Sequence, residues 1–84
     1  MRQIDGKYQT SGDITKLDGT PIPQDEPLIL FRGKDKLLPR LLEQYKQLCQ
    51  DGGSPQGQIE LLQQRIDEIK VWQDNNQDKV KIPD

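Results

Sequence analysis

The chain has 84 residues, which is enough for a single small domain over residues 1–84. Its apolar fraction of 31% is below the ~45–50% of ordinary globular chains, so we expect a small core that needs a protein partner or self-association. The net charge of −2 argues against a nucleic-acid binder, because such proteins are basic overall.

Turn-forming residues dominate the first part of the chain, residues 1–33. Ser11-Gly12-Asp13 and Asp18-Gly19-Thr20-Pro21 are turn signals. A hairpin is predicted around the first of them, between residues 7–10 and 13–17.

An apolar run follows a proline-rich lead-in. Residues 22–27 contain too many prolines for a central strand. The four consecutive apolar residues that follow, bounded by Pro27 and Gly33, predict a strand over Leu28–Arg32 that is buried on both faces.

An amphipathic helix is predicted from Asp35 to Gln50, with Asp35 as its N-cap. At about 100° per residue, its apolar side chains fall in a single arc of about 140°. They are Leu37, Leu38, Leu41, Leu42, Tyr45, Leu48 and Cys49. Asp51-Gly52-Gly53 is predicted to end the helix.

A second helix is predicted from Ser54-Pro55, a cap followed by a proline, to Asp74 or Asn75. Its apolar stripe is Ile59, Leu62, Ile66 and Ile69. The short link predicts an antiparallel helix hairpin over residues 35–75. In that hairpin, Leu41, Tyr45 and Leu48 of the first helix are expected to face Leu62, Ile66 and Ile69 of the second.

These elements predict an α+β fold. A two- or three-strand antiparallel layer, with Leu28–Arg32 in its centre, is expected to pack on the antiparallel two-helix hairpin. Residues 79–84 alternate polar and apolar side chains before their proline, and we interpret them as a C-terminal tail or a closing edge strand.

Four of the twelve cations lie within nine residues at the start of the first helix, where the helix dipole disfavours positive charge. They are Arg32, Lys34, Lys36 and Arg40. One interpretation is a site for a phosphate or carboxylate. The preferred one is internal pairing with acids nearby, above all of Arg32 with Asp25 or Glu26. The candidate partners are Asp25, Glu26 and Asp35.

Catalytic and metal chemistry have little support in the sequence. The chain has no histidine, and its single cysteine, Cys49, lies in the apolar arc, so we interpret it as a small buried hydrophobe. We predict no catalytic residue, no metal site and no cofactor. The lone cysteine indicates a reducing, cytoplasmic location, and no apolar run is long enough to cross a membrane.

Leu61 and Trp72 form a second apolar feature on the second helix. They are eleven residues apart, so they align within about 20° of each other and lie about 100° from the stripe. Together with Gln73 they are candidate interface residues, because tryptophan is enriched in binding hot spots. The alternative is that they pack on the sheet of their own domain.

The segment 22–35, with Trp72-Gln73 and residues 79–84, resembles a group of small bacterial and phage-associated proteins. The shared pattern is Pro-x-Asp-Glu-Pro, an apolar strand, Arg-x-x-Asp, a late Trp-Gln and a terminal Pro-Asp, and it covers roughly residues 20–84. Gly33-Lys34 departs from the Ala-Gln of that pattern. The resemblance implies no assigned activity and therefore no catalytic residues.

Three functions follow from these observations. The first is a non-enzymatic protein-interaction module that self-associates or binds a protein partner, and the resemblance implies a phage-type accessory protein or counter-defence inhibitor. The second is a small anion- or nucleotide-binding protein that uses the basic residues Arg32–Arg40. An enzyme that uses lysine or carboxylate chemistry is the third and weakest.

Overall fold

The computed structural model of the protein describes residues 2–3 and 7–83. Its internal contacts divide the chain into an N-terminal unit, Met1–Leu30, and a helical unit, Phe31–Asp84. The boundary between the two units therefore lies inside the apolar run that begins at Leu28.

Short pairings build the N-terminal unit. Strand β1 (Arg2–Gln3) and strand β2 (Gln9–Thr10) form a two-stranded antiparallel sheet, with Arg2 opposite Thr10. The predicted hairpin around Ser11-Gly12 is therefore wrong, because β2 pairs with the strand that precedes it. The Thr10 hydroxyl instead donates to the carbonyl of Gly12 at 2.6 Å.

The predicted turn at Asp18-Gly19 is confirmed. The backbone N–H of Thr20 donates to the Asp18 carboxylate at 2.9 Å, and this hydrogen bond lowers the pKa of Asp18 below its ordinary value. Gly19 has a φ of +90°, which glycine adopts at little cost. The chain reverses here, and Thr15 forms an isolated antiparallel bridge with Pro21.

The strand predicted over Leu28–Arg32 is wrong. These residues are in neither a helix nor a strand, and Ile29 is 68% exposed rather than buried. An apolar run supplies the side chains of a buried strand, but pairing decides whether the strand forms, and hydropathy carries no information on pairing. In the described part of the chain the strand layer consists of β1 and β2, so the helix hairpin is the part of the predicted fold that is confirmed.

Helix α1 (Leu38–Asp51) begins three residues after the predicted start. The Asp35 carboxylate accepts the N–H of Leu37 at 2.8 Å, so it stabilises the turn before the helix and does not cap it. Pro39 lies in the first turn, where its missing N–H removes no helical hydrogen bond. Gly52 forms the C-cap, as the sequence predicts.

Helix α2 (Gln56–Asn75) follows a connection of four residues. Pro55 occupies the N-cap position, so the predicted start at Ser54-Pro55 is correct to within one residue. The end of the helix is also confirmed, and the side-chain amide of Asn76 donates there to the carbonyl of Trp72 at 2.8 Å.

The two helices pack side by side and antiparallel. Lys70 near the end of α2 contacts Glu43 near the start of α1, and Gln63 earlier on α2 contacts Lys46 later on α1. Residue numbers therefore increase in opposite directions along α1 and α2, which confirms the predicted antiparallel hairpin.

Three side chains form the buried centre of this hairpin, and Ile66 is 0% exposed. They are Leu38, Ile59 and Ile66. The prediction that Leu41, Tyr45 and Leu48 face α2 is wrong, because all three are exposed. An apolar arc of about 140° is wider than one neighbouring helix can cover. Helix α2 packs on the edge of the arc that contains Leu38 and leaves the other edge uncovered.

A polar network joins the helices along one side. The Lys70 ammonium donates to Glu43 at 3.1 Å, the Lys46 ammonium lies 3.6 Å from the same carboxylate, and Lys46 also donates to Gln63. The hydrogen bond from Lys70 is the main reason why the pKa of Glu43 lies below its ordinary value of 4.5.

Glu43→Gln should reduce stability in a pH-dependent way. Folding lowers the pKa of Glu43, so its carboxylate stabilises the fold at pH values above its pKa in the unfolded chain. This stabilisation is lost as the pH falls through its lower pKa in the folded chain. We expect a loss of at most about 1 kcal/mol in the free energy of unfolding at neutral pH, since the pair is solvent-accessible. Denaturant titrations at several pH values should show this difference vanish in acid. Glu60→Gln, an exposed carboxylate on α2, is the control, and a difference that persists at low pH would contradict this assignment.

Candidate functional site

The basic turn, residues 32–36, leads into α1 and is closed by its own backbone. The N–H of Asp35 donates to the carbonyl of Arg32 at 3.0 Å, and the N–H of Leu38 donates to the carbonyl of Asp35 at 3.1 Å. Gly33 has room for a Cβ atom, with nothing within 4 Å of it, and its φ is not positive. Alanine would therefore fit the turn.

Gln73 of α2 holds the basic turn against the helix hairpin. Its side-chain amide donates to the carbonyl of Gly33 at 2.9 Å and to that of Asp35 at 2.8 Å. One partly buried side chain thus occupies two carbonyls of the turn. Sequence reasoning treated Gln73 as a candidate interface residue, whereas the structure gives its amide an internal, positioning role.

The C-terminal tail supports the same turn. The N–H of Lys36 donates to the carbonyl of Lys81 at 2.9 Å, and the N–H of Lys81 donates to the carbonyl of Lys34 at 3.1 Å. These bonds form an isolated parallel bridge between Asp35 and Lys81. A closing edge strand was one of the two interpretations of residues 79–84. Among the residues described, this segment forms a single bridge to the basic turn instead of a strand.

A pocket of about 630 Å³ lies between the basic turn and the two helices. Leu38, Leu42 and Ile69 give it apolar walls, and Phe31 and Trp72 contribute aromatic rings. The polar lining comes from the basic turn and from the middle of α2, and consists of Arg32, Gly33, Lys34, Arg65 and Glu68. All of these residues belong to the helical unit.

The charge of the pocket lining is positive. Arg65 is paired with Glu68 at 2.7 Å. No carboxylate among residues 31–83 forms a salt bridge with Arg32 or Lys34. Two cations therefore line the pocket without a counter-charge from the described part of the helical unit, and one of them, Lys34, is half-buried.

The structure brings together two of the four predicted cations. Arg32 and Lys34 line the pocket, whereas Lys36 and Arg40 are exposed and do not. Arg65 was missed by sequence reasoning, although it lies four residues after Leu61 and seven before Trp72, which places it on their face of α2. Phe31 was missed because it was assigned to a buried strand.

The acidic candidates are in different places. Asp35 uses its carboxylate locally, on the N–H of Leu37. Asp25 and Glu26 lie in an exposed turn of the N-terminal unit, where the N–H of Glu26 donates to the carbonyl of Pro23 at 3.2 Å. The pairing of Arg32 with Asp25 or Glu26 stays a prediction.

The remaining candidate for chemistry is the thiol of Cys49. Cys49 is half-buried rather than fully buried, and its thiol, one helical turn after Tyr45, raises the pKa of Tyr45. Within the residues that the structure describes, no cluster of three or more His, Cys, Asp or Glu side chains could hold a metal ion. None of the described helices combines the length and the apolar character that crossing a membrane requires.

Comparisons with protein-family models, with curated proteins and with solved structures found no match to this chain. The resemblance to phage-associated proteins, and the accessory or counter-defence role that it implies, therefore stay predictions.

Proposed function

We propose that this protein is a non-enzymatic interaction module that self-associates through the outer face of α1. The outer face is the row of apolar side chains that α2 leaves uncovered. It consists of Leu37, Leu41, Tyr45 and Leu48, which are 51%, 41%, 55% and 68% exposed. This row is the observation that carries the proposal, because a soluble monomer gains nothing from a continuous exposed apolar stripe.

The outer face is large enough to matter energetically. Spacings of four, four and three residues keep its side chains within about 80° of the helix circumference and spread them over about 16 Å. Fully burying such a side chain stabilises by ~1.5–3 kcal/mol. About half of each is still exposed, so covering the row offers roughly 3–6 kcal/mol per copy. A core in a domain this small supplies a similar ~3–5 kcal/mol.

A second copy of the chain is the partner that fits this row. If two α1 helices cross antiparallel about a two-fold axis, position 37 of one copy meets position 48 of the other, and position 41 meets position 45. Arg40 and Asp51 lie on the same flank of the row, near opposite ends of α1. The antiparallel arrangement therefore places the Arg40 end of one copy toward the Asp51 end of the other on that flank.

Analytical ultracentrifugation over a range of chain concentrations tests this proposal. We expect the wild-type chain to form a dimer and the double variant Leu41→Gln, Leu48→Gln to be monomeric with unchanged helix content by circular dichroism. Two changes in each copy weaken four contacts, so the dimer dissociation constant should rise by ~10²-fold or more.

Val71→Gln is the matched control for this experiment. Val71 is an exposed apolar residue on α2 and does not belong to the outer face, which consists of side chains of the first helix. It lies about 140° around α2 from the buried Ile66. Its variant should dimerise like the wild type. A wild-type chain that stays monomeric at hundreds of micromolar, or a double variant that dimerises normally, would overturn the proposal.

A further inference from the structure

We propose that the pocket beside the basic turn binds a small aromatic anion, that is, a planar ring that carries a phosphate or carboxylate group. This inference goes beyond the proposed self-association, because none of the four outer-face residues lines the pocket. The ligand class follows from three properties of the pocket, namely its cations without a salt bridge from residues 31–83, its exposed rings and its preformed shape.

The cations select an anion. Arg32 and Lys34 have no salt-bridge partner among residues 31–83, and Arg65 is already paired with Glu68. Lys34 is half-buried, and no carboxylate among residues 31–83 forms a salt bridge with it. An anionic group in the pocket would supply charge-assisted hydrogen bonds to both cations.

The rings and the apolar walls select an aromatic body. Phe31 and Trp72 line the pocket while keeping 45% and 39% of their surface exposed. Exposed aromatic side chains beside cations favour stacking with a planar ring, as in proteins that bind single-stranded nucleic acids. Leu38 and Ile69 complete an apolar wall, which inorganic phosphate alone would leave uncovered.

The pocket is held in shape before any ligand binds. The amide of Gln73 occupies two carbonyls of the basic turn, and the bridge to Lys81 fixes the turn from its other side. Affinity improves when a site does not have to be ordered on binding. The volume of about 630 Å³ lies within the range of ~300–1,000 Å³ that is typical of small-molecule sites.

The fluorescence of Trp72 provides a direct test, because it is the only tryptophan of the chain. We would titrate the full-length protein with adenosine monophosphate and with indole-3-acetate at constant ionic strength. Adenosine and inorganic phosphate, each of which lacks one half of the proposed ligand, serve as reference compounds. We expect a saturable change with at least one of the two aromatic anions and no saturation by either reference compound over the same concentrations.

Matched variants locate the binding site. Arg32→Gln and Lys34→Gln should each weaken binding by about tenfold or more, the effect of losing one charge-assisted hydrogen bond. Lys36→Gln and Arg40→Gln remove cations of the same cluster that do not line the pocket, and they should leave the affinity unchanged. The outer-face double variant should also bind normally, which separates this inference from the proposed self-association.

Three results would overturn the inference. The first is the absence of saturation with both aromatic anions. The second is equal binding of inorganic phosphate, which would remove the role of the rings. The third is an equal loss of affinity in the Lys36 and Arg40 variants, which would indicate diffuse charge attraction rather than a pocket.

Discussion

Ile66→Ala is expected to unfold most of the isolated chain. Ile66 is the one described large side chain with no exposed surface, and it is one of the buried residues of the helix hairpin. Truncation of a buried isoleucine to alanine costs ~2–5 kcal/mol, which comprises the lost transfer free energy and the cavity left behind. A single core in a chain of this size rarely supplies more than ~3–5 kcal/mol, so a single truncation removes much of the total.

Leu61→Ala is the control for this prediction. It removes the same number of carbon atoms from the same helix, but Leu61 is exposed, so its loss should change stability by no more than about 0.5 kcal/mol. Thermal and urea melts followed by far-ultraviolet circular dichroism would compare the two variants. If Ile66→Ala melted together with Leu61→Ala, the position of the core in this fold would be wrong.

Gln73→Leu is expected to have the second largest effect, and a more local one. Leucine is similar in size, but it cannot donate the hydrogen bonds that now reach Gly33 and Asp35. A partly buried carbonyl that loses its donor costs ~1–3 kcal/mol. The carbonyl of Asp35 keeps the N–H of Leu38 as a donor. We therefore expect the free energy of unfolding to fall by ~1–3 kcal/mol, because only the carbonyl of Gly33 is left without this donor. We also expect the basic turn to open more often.

Hydrogen exchange would detect the opening of the turn directly. The amides of Lys36 and Lys81 are protected by the bridge between the turn and the tail, and both should exchange faster in Gln73→Leu. Gln64→Leu, an exposed glutamine on the same helix, should leave both amides protected. Unchanged protection of Lys36 and Lys81 in Gln73→Leu would show that the glutamine does not hold the turn.

Local chemistry explains the parts of the structure that could be predicted. The turn at Asp18-Gly19, the end of α1 at Gly52 and the start of α2 near Pro55 depend on residues that are neighbours in the chain. Capping, glycine conformation and the missing proline N–H act over a few residues, so they can be recognised without knowledge of the remaining structure. The helical periodicity of α2 is local in the same sense.

The pocket could be anticipated only in fragments. Arg32 and Lys34 stood out as misplaced cations, and Trp72 stood out as an apolar residue away from the stripe of α2, but nothing in the chain related the two observations. The link is Gln73, whose amide reaches back about forty positions to the basic turn. A hydrogen bond between a side chain and a distant carbonyl has no sequence period and no fixed spacing, so pattern analysis could not detect it.

By itself, the sequence determined two amphipathic helices, the short link that makes them antiparallel and the turns that bound them. Only the tertiary structure decided which edge of α1 is buried and that the apolar run at Leu28 forms no strand. The physical reason is the same in both cases. Amphipathicity shows that an apolar surface needs cover, but the element that covers it, or leaves it exposed for a second chain, is chosen by packing between distant residues.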